Sequence, residues 1–256
     1  MKKTLIFTFT NNPGFGDHLR GLISILQIKK NMDFDLIVNM KGHSFETFFL
    51  YETPEFIQPK YLYSYVLNHE NSCHLQLCHF INESFKKYDV ISIKTNQYPK
   101  EDEIDDDIKD YIKNLLSIRP EVLSYLENKF VDIPKNYNLF HFRTGDGNFN
   151  RDVLHESCVS LFASKKKENS VVISDSLSLK TKIKSLYEKE DVYTFLDKPF
   201  HTNANANHDT MLDTFADFYL VKNASSVNCY SCYRWISNFV KWTAILYDVP
   251  LFKLEK

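Results

Sequence analysis

The chain has 256 residues, 43% of them apolar and 15% aromatic, which is enough apolar surface for one substantial core or two smaller ones. A net charge of −2 with 25% charged residues leaves no positive excess for nucleic acid or an anionic membrane, so a small or neutral polar substrate fits better. No segment approaches the ~20 consecutive apolar residues of a membrane-spanning helix. The five cysteines are odd in number and scattered, which favours a reducing, cytoplasmic setting.

The first apolar stretch, Leu5-Ile6-Phe7 with Phe9, is too short for a signal-peptide core and runs into Asn11-Asn12-Pro13, so it reads as a buried strand over residues 4–10. Leu19, Leu22, Ile23 and Leu26 then recur at helical spacing, and residues 35–40 read as the next strand, completing a βαβ unit. Cys73, His74, Cys78 and His79 invite a metal site, but they lie with Leu75 and Leu77 in an apolar stretch where buried cysteines are ordinary packing residues. A further strand is expected over residues 88–95. The acidic run at 101–107 precedes a helix whose Ile108, Tyr111, Ile112, Leu115 and Leu116 share a face. Within that run Asp105-Asp106-Asp107 offers an Asp-x-Asp metal pair. No strand leads into it, and acids opening a helix complement its dipole, so the capping reading is preferred and no metal is expected.

The segment 132–137, around Ile133-Pro134-Lys135-Asn136, marks the expected boundary between a domain 1–135 and a domain 136–256. Strand-like segments at 138–143, 170–174, 191–195 and 226–229 alternate with helix-like ones near 152–166, 177–189, 208–222 and 233–247. Short β/α connections imply parallel sheets, and the expected fold is α/β, with two Rossmann-like domains facing a cleft. The single C-x-x-C of Cys229 and Cys232 has no second pair at ligand spacing and argues for neither zinc nor a redox pair.

Ligands of open α/β sheets bind beyond the carboxyl ends of strands, and four such places are polar. After the first strand, Gly14-Phe15-Gly16 opens a helix with free N–H groups and carries Asp17, His18 and Arg20 within one turn; a plain tight turn is the competing explanation. At the end of the strand 138–143, apolar residues give way to His141-Phe142-Arg143-Thr144-Gly145-Asp146. Arg143 can clamp a diphosphate there, or pair with Asp146 beside a core His141. Ser174-Asp175-Ser176 ends another buried strand, placing hydroxyls and a carboxylate to bond a ribose or to cap the next helix. Last comes a helix with Asp209, Leu212, Phe215, Ala216, Asp217 and Tyr219, then a strand ending near Ser231. There a hydroxyl and neighbouring helix amides would meet phosphate, with Tyr233 beside it.

Taken in order, the G-x-G-D-x-L-R-G turn from Gly14 to Gly21, the H-x-R-x-G-D strand end from His141 to Asp146, Ser174-Asp175-Ser176, and the Asp209 helix followed by a serine-rich strand resemble the fucosyltransferase superfamily of two-Rossmann (GT-B) glycosyltransferases, which includes the α1,2, α1,6, nodulation and protein O-fucosyltransferases. The likeness spans most of the chain as spaced motifs. It implies a metal-independent, inverting transfer of a sugar, fucose from GDP-fucose above all, to a hydroxyl of a glycan or other acceptor, with no cofactor besides the donor substrate. By the same resemblance the N-terminal domain faces the acceptor and the C-terminal one holds the donor. Arg143 would grip the β-phosphate, His141 and Asp209 would recognise the guanine and its surroundings, Asp175 with Ser174 and Ser176 the nucleoside, and Ser231 the phosphates. Gly14, Phe15, Gly16 and Arg20 would lie near the reacting sugar, and Asp17, Asp146 and His18 are the candidates for a general base. Thr144 stands where many relatives have a second basic residue, which argues against α1,6-type transfer.

Other classes stay open. A different GDP- or UDP-linked deoxyhexose or pentose would keep the fold, and a non-catalytic nucleotide-sugar-binding module would keep the donor site alone. A Rossmann oxidoreductase or methyltransferase is disfavoured, because Leu19 stands where the third glycine of G-x-G-x-x-G belongs.

Overall fold

A computed structural model describes residues 2–12, 14–57, 59, 62–65, 74–145, 151–196 and 208–255. It divides into two compact units, Met1–Arg119 and Pro120–Lys256.

The first unit contains β1 (Thr4–Thr8), α1 (Phe15–Asn31), β2 (Asp35–Asn39), β3 (Leu62–Tyr65), α2 (His74–Lys87), β4 (Val90–Thr95) and α3 (Asp106–Leu115). Its sheet runs β2-β1-β4-β3, and every pairing is parallel. Leu5, Ile6 and Phe7 are consecutive and all buried, as a central parallel strand covered on both faces requires. The apolar face of α1 packs close to β4 because residue 21 is glycine: a Cβ there would stand 1.9 Å from the Thr95 carbonyl oxygen. Asp105 caps α3 by accepting from the Ile108 amide at 3.2 Å, and it also pairs with Lys30, so its carboxylate serves the helix as expected of an opening acid.

The second unit contains α4 (Pro120–Lys129), β5 (Asn138–Arg143), α5 (Arg151–Lys165), β6 (Ser170–Ser174), α6 (Leu177–Leu186), β7 (Val192–Thr194), α7 (His208–Asn223), β8 (Ser226–Ser231), α8 (Asn238–Leu246) and β9 (Leu251–Lys253). The sheet order is β7-β6-β5-β8-β9, again all parallel. Right-handed crossovers put α5 and α6 on one face, where they touch each other, and α7 and α8 together on the other. On the first face Phe140 and Phe142 of β5 meet Leu154, Cys158 and Phe162 of α5 and Leu179 and Ile183 of α6. Burial of each such phenylalanine is worth about 1.5–3 kcal/mol. By strand alternation Leu139, His141 and Arg143 point to the other face.

Four elements were not anticipated. β3 and β9 are only four and three residues long, and α2 covers the Cys78–His79 stretch. The fourth, α4, begins at Pro120, where a missing N–H costs a helix nothing, and buries only Val122 and Leu126. It belongs to the second unit: Lys129 pairs with Asp213 of α7 at 2.8 Å, and the Phe130 ring lies 4.7 Å from that of Phe195. The division therefore falls after Arg119 and ahead of the segment 132–137, whose proline marks a turn inside the second unit.

Candidate functional site

In the second sheet the strand order reverses between β5 and β8: from β5 the chain goes on to β6 and β7 on one side, and from β8 it goes on to β9 on the other. A crevice opens at the carboxyl ends of such a strand pair. The β5/β8 register ends on Arg143 opposite Ser231, so the arginine and the serine singled out by sequence stand side by side at that rim.

Arg143 is held there by Asp175, one residue beyond β6. Arg143 Nη1 donates to Asp175 Oδ2 at 2.7 Å, and both side chains are under a fifth exposed, at 19% and 15%, so this is no ordinary surface pair. The Thr144 amide and hydroxyl each donate to Oδ1 at 2.8 Å, and the Gly145 amide donates to Oδ2 at 3.0 Å. Burial alone would raise the Asp175 carboxyl, but the Thr144 and Gly145 hydrogen bonds and the charge of Arg143 outweigh it and hold the group below the usual carboxylate range.

The loop after Arg143 is fixed from its other side as well. The Cys232 amide donates to the Arg143 carbonyl at 2.9 Å. Gly145 adopts φ +85°, and a Cβ on it would lie 2.8 Å from Cys232 Sγ and 2.9 Å from Tyr233 Oη, so only glycine fits. Tyr233 stacks on Trp235 with centroids 5.1 Å apart and planes 8° from parallel, and Trp235 is half exposed.

The other site residues expected from the sequence make contacts within the chain as follows. Asp175 was assigned to the nucleoside, but its oxygens are taken up by the β5 loop. His141 is buried, with Nδ1 3.3 Å from Cys229 Sγ in a site where burial lowers the imidazole pKa and pushes the Cys229 thiol up to about 12. Its ring therefore packs in the core beneath the strand end. Ser174 is buried and donates to the Phe142 carbonyl at 2.7 Å, and Ser176 caps α6 by accepting from Leu179 N at 3.3 Å. Ser231 Oγ accepts from the Tyr233 amide at 3.2 Å. The helix expected from residue 233 begins only at Asn238, so no helix N-terminus adjoins that serine. Asp146 lies outside the described residues, as does the side chain of Asp209.

In the first unit the glycine turn caps α1: the carbonyl of Gly14 accepts from the amides of Asp17 and His18 at 2.9 and 3.2 Å. Gly16 is buried. Phe15 is also buried, its ring 5.0 Å from Phe45 and 5.8 Å from His43, so it packs in the core. His18 is fully buried. Its Nε2 lies 2.7 Å from the Thr10 carbonyl and 3.0 Å from the Thr10 amide, which ties the end of β1 to α1. Burial lowers its pKa to about 4, so it is neutral at pH 7 and has no access to solvent as a catalytic base. Arg20 is likewise buried. It stacks on Tyr98 with its guanidinium carbon 3.9 Å from the ring centroid and reaches Asp17 Oδ1 at 3.0 Å, so it fixes Asp17. Asp17 alone of this turn's polar side chains keeps an exposed edge, at 28%.

Sequence reasoning gave Thr144 and Gly145 no part in holding Arg143, and it passed over His43 and Tyr98. Only the glycine carried a local signal, since its place after a strand-end arginine is where a left-handed turn is needed. Among the described residues no group of three His, Cys, Asp or Glu side chains is placed to hold a metal ion, and no helix is long and apolar enough to cross a membrane.

No protein-family model matches the sequence, and no curated protein matches it. Solved structures do. Fucosyltransferase NodZ from Bradyrhizobium is 13% identical with a TM-score of 0.62, over 98% of this chain and 94% of that one. A mutant of Arabidopsis thaliana FUT1 in complex with GDP is 12% identical with a TM-score of 0.62, over 100% of this chain and 71% of that one. POFUT1 in complex with GDP is 11% identical with a TM-score of 0.55, over 100% of this chain and 99% of that one. At such identities the likeness is one of fold, and the chain has the α/β fold of these solved fucosyltransferases.

Proposed function

We propose that the chain is a metal-independent, inverting glycosyltransferase that moves a sugar, fucose from GDP-fucose in the first instance, to a hydroxyl of a glycan or other acceptor. The observation that carries this is the place of Arg143: a guanidinium held at the carboxyl end of β5, opposite Ser231, where the strand order reverses. Support comes from structures of the same fold: NodZ has been soaked with GDP-fucose, and FUT1 and POFUT1 are complexes with GDP.

In this reading the acceptor oxygen forms its bond to the anomeric carbon as the bond to the β-phosphate oxygen breaks. The electron pair leaves with the diphosphate, and the hydroxyl proton passes to a carboxylate. Arg143 neutralises the charge that develops on the departing group, in a partly dry site where such a contact is strong. Asp17, whose Oδ1 lies 3.0 Å from Arg20, is the first candidate for that carboxylate and Asp146 the second; a positioned base contributes about 10²–10⁴ in rate. Positive charge supplied by the protein makes a divalent ion unnecessary.

GDP release from GDP-fucose in the presence of EDTA tests this. Turnover is expected to persist in EDTA and to disappear in Arg143→Ala. Activity that EDTA abolishes and manganese restores contradicts the metal-free reading. A panel with UDP-sugars separates the nearest donor alternatives, and GDP binding without any turnover identifies a binding module.

A further inference from the structure

Asp175 accepts four hydrogen bonds within 3.0 Å, all from the last residue of β5 and the two that follow it: Arg143 Nη1 and Gly145 N on Oδ2, Thr144 N and Thr144 Oγ1 on Oδ1. A carboxylate offers about four acceptor sites. None is left for a ribose hydroxyl, so a direct nucleoside contact would require this cluster to come apart. An arginine that its ligand must order gives up rotamer freedom on binding, whereas one already fixed gave it up on folding.

We propose that Asp175 is a positioning residue, which sets the Arg143 guanidinium and the Thr144–Gly145 turn in the geometry that receives a diphosphate. This rests on the reading of Arg143 as the diphosphate-holding group. Thr144 belongs to the same device: its buried hydroxyl and its amide anchor Oδ1, leaving Oδ2 to face Arg143 and Gly145. The negative charge of Asp175 lies against Arg143 and three neutral donors, so little of it remains to repel a phosphate, and loss of orientation outweighs loss of repulsion.

The test is calorimetric binding of GDP and of inorganic pyrophosphate to the full chain, in wild type, Asp175→Asn, Arg143→Ala and the double variant. Asp175→Asn is expected to weaken GDP and pyrophosphate by the same factor, about tenfold or more, and to add nothing once Arg143 is gone, because coupled residues give non-additive effects. A loss for GDP with pyrophosphate unchanged makes Asp175 a nucleoside contact and overturns the proposal. So do an additive double variant and tighter binding by Asp175→Asn. Thr144→Val, nearly isosteric, covers the case in which Asp175→Asn does not fold. It is expected to show a severalfold loss for both ligands with Arg143 present and none with Arg143→Ala; an unchanged affinity with Arg143 present again overturns the proposal. If the wild-type chain binds neither ligand, the diphosphate reading of Arg143 itself fails, an outcome distinct from all of these.

Discussion

Acid should strip stability from the first unit through two histidines, and His43→Phe should remove half of that effect. The His43 ring is packed among Phe9, Phe15, His18 and Phe45 at centroid distances of 5.5–6.0 Å. Burial, with the neighbouring His18, lowers its pKa from 6.5 to about 3, and burial lowers His18 to about 4. As the pH falls below 6.5 the unfolded chain takes up a proton at each histidine and the folded chain does not. The unfolded state then binds more protons, so stability is complete above pH 6.5 and declines on acidification. The slope approaches about 1.36 kcal/mol per pH unit as the unfolded imidazoles become protonated, so the step from pH 6.5 to 5.0 costs about 1.6 kcal/mol for each histidine and about 3 kcal/mol for the pair. That is a large part of the 5–15 kcal/mol typical of a domain.

At pH 5.0 carboxylates are still largely ionised in the unfolded chain, and any contributions from His74 and His141, whose pKa values are also lowered by burial, are common to both proteins. Urea unfolding at pH 7.5, 6.5 and 5.0 reads the result. His43→Phe should lose about 1 kcal/mol at pH 7.5, because the Phe45 amide gives up its acceptor, and should then lose about 1.6 kcal/mol less than wild type between pH 6.5 and 5.0. Equal acid losses in the two proteins would refute the account of His43 as a histidine kept neutral by burial.

Gly21→Ala should lower the melting temperature sharply, because its methyl group would stand 1.9 Å from the Thr95 carbonyl oxygen and α1 must retreat from β4; the expected cost is at least the 1–3 kcal/mol of an overpacked core. Gly145→Ala forces a side chain into φ +85° and against Cys232 and Tyr233, and should weaken GDP binding several-fold with a smaller effect on unfolding than Gly21→Ala. Arg143→Lys keeps the charge but loses the planar fork, so its GDP affinity should fall between those of wild type and Arg143→Ala in titration calorimetry. Ser176→Ala removes the α6 cap and should cost about 1 kcal/mol in urea unfolding.

The parts of the fold legible in the sequence were those with a strong local signal. β5 and β6 were read to the residue, because each is a run of apolar residues opened by a loop and closed by polar side chains. α1 and α3 announced themselves through their apolar stripes. By contrast β3, β9 and α4 are short and gain their order from neighbours far along the chain, as when Phe130 after α4 packs on Phe195 and Tyr219. The same distinction governs the site. Arg143 stood out because an arginine ends an apolar strand. Nothing near Asp175 in sequence says that it serves Arg143, 32 residues away, and only strand order brings the two together. Burial likewise separates Asp17 from Arg20 and His18, which share its helical turn but face inward.

The most direct measurement is a crystal structure of the chain with GDP. The β-phosphate is expected beyond the ends of β5 and β8, within hydrogen-bonding distance of the Arg143 guanidinium, with Asp175 still bonded to that side chain. GDP seated elsewhere, with Arg143 contacting no phosphate, would contradict the assignment of Arg143 and with it the proposed transferase chemistry.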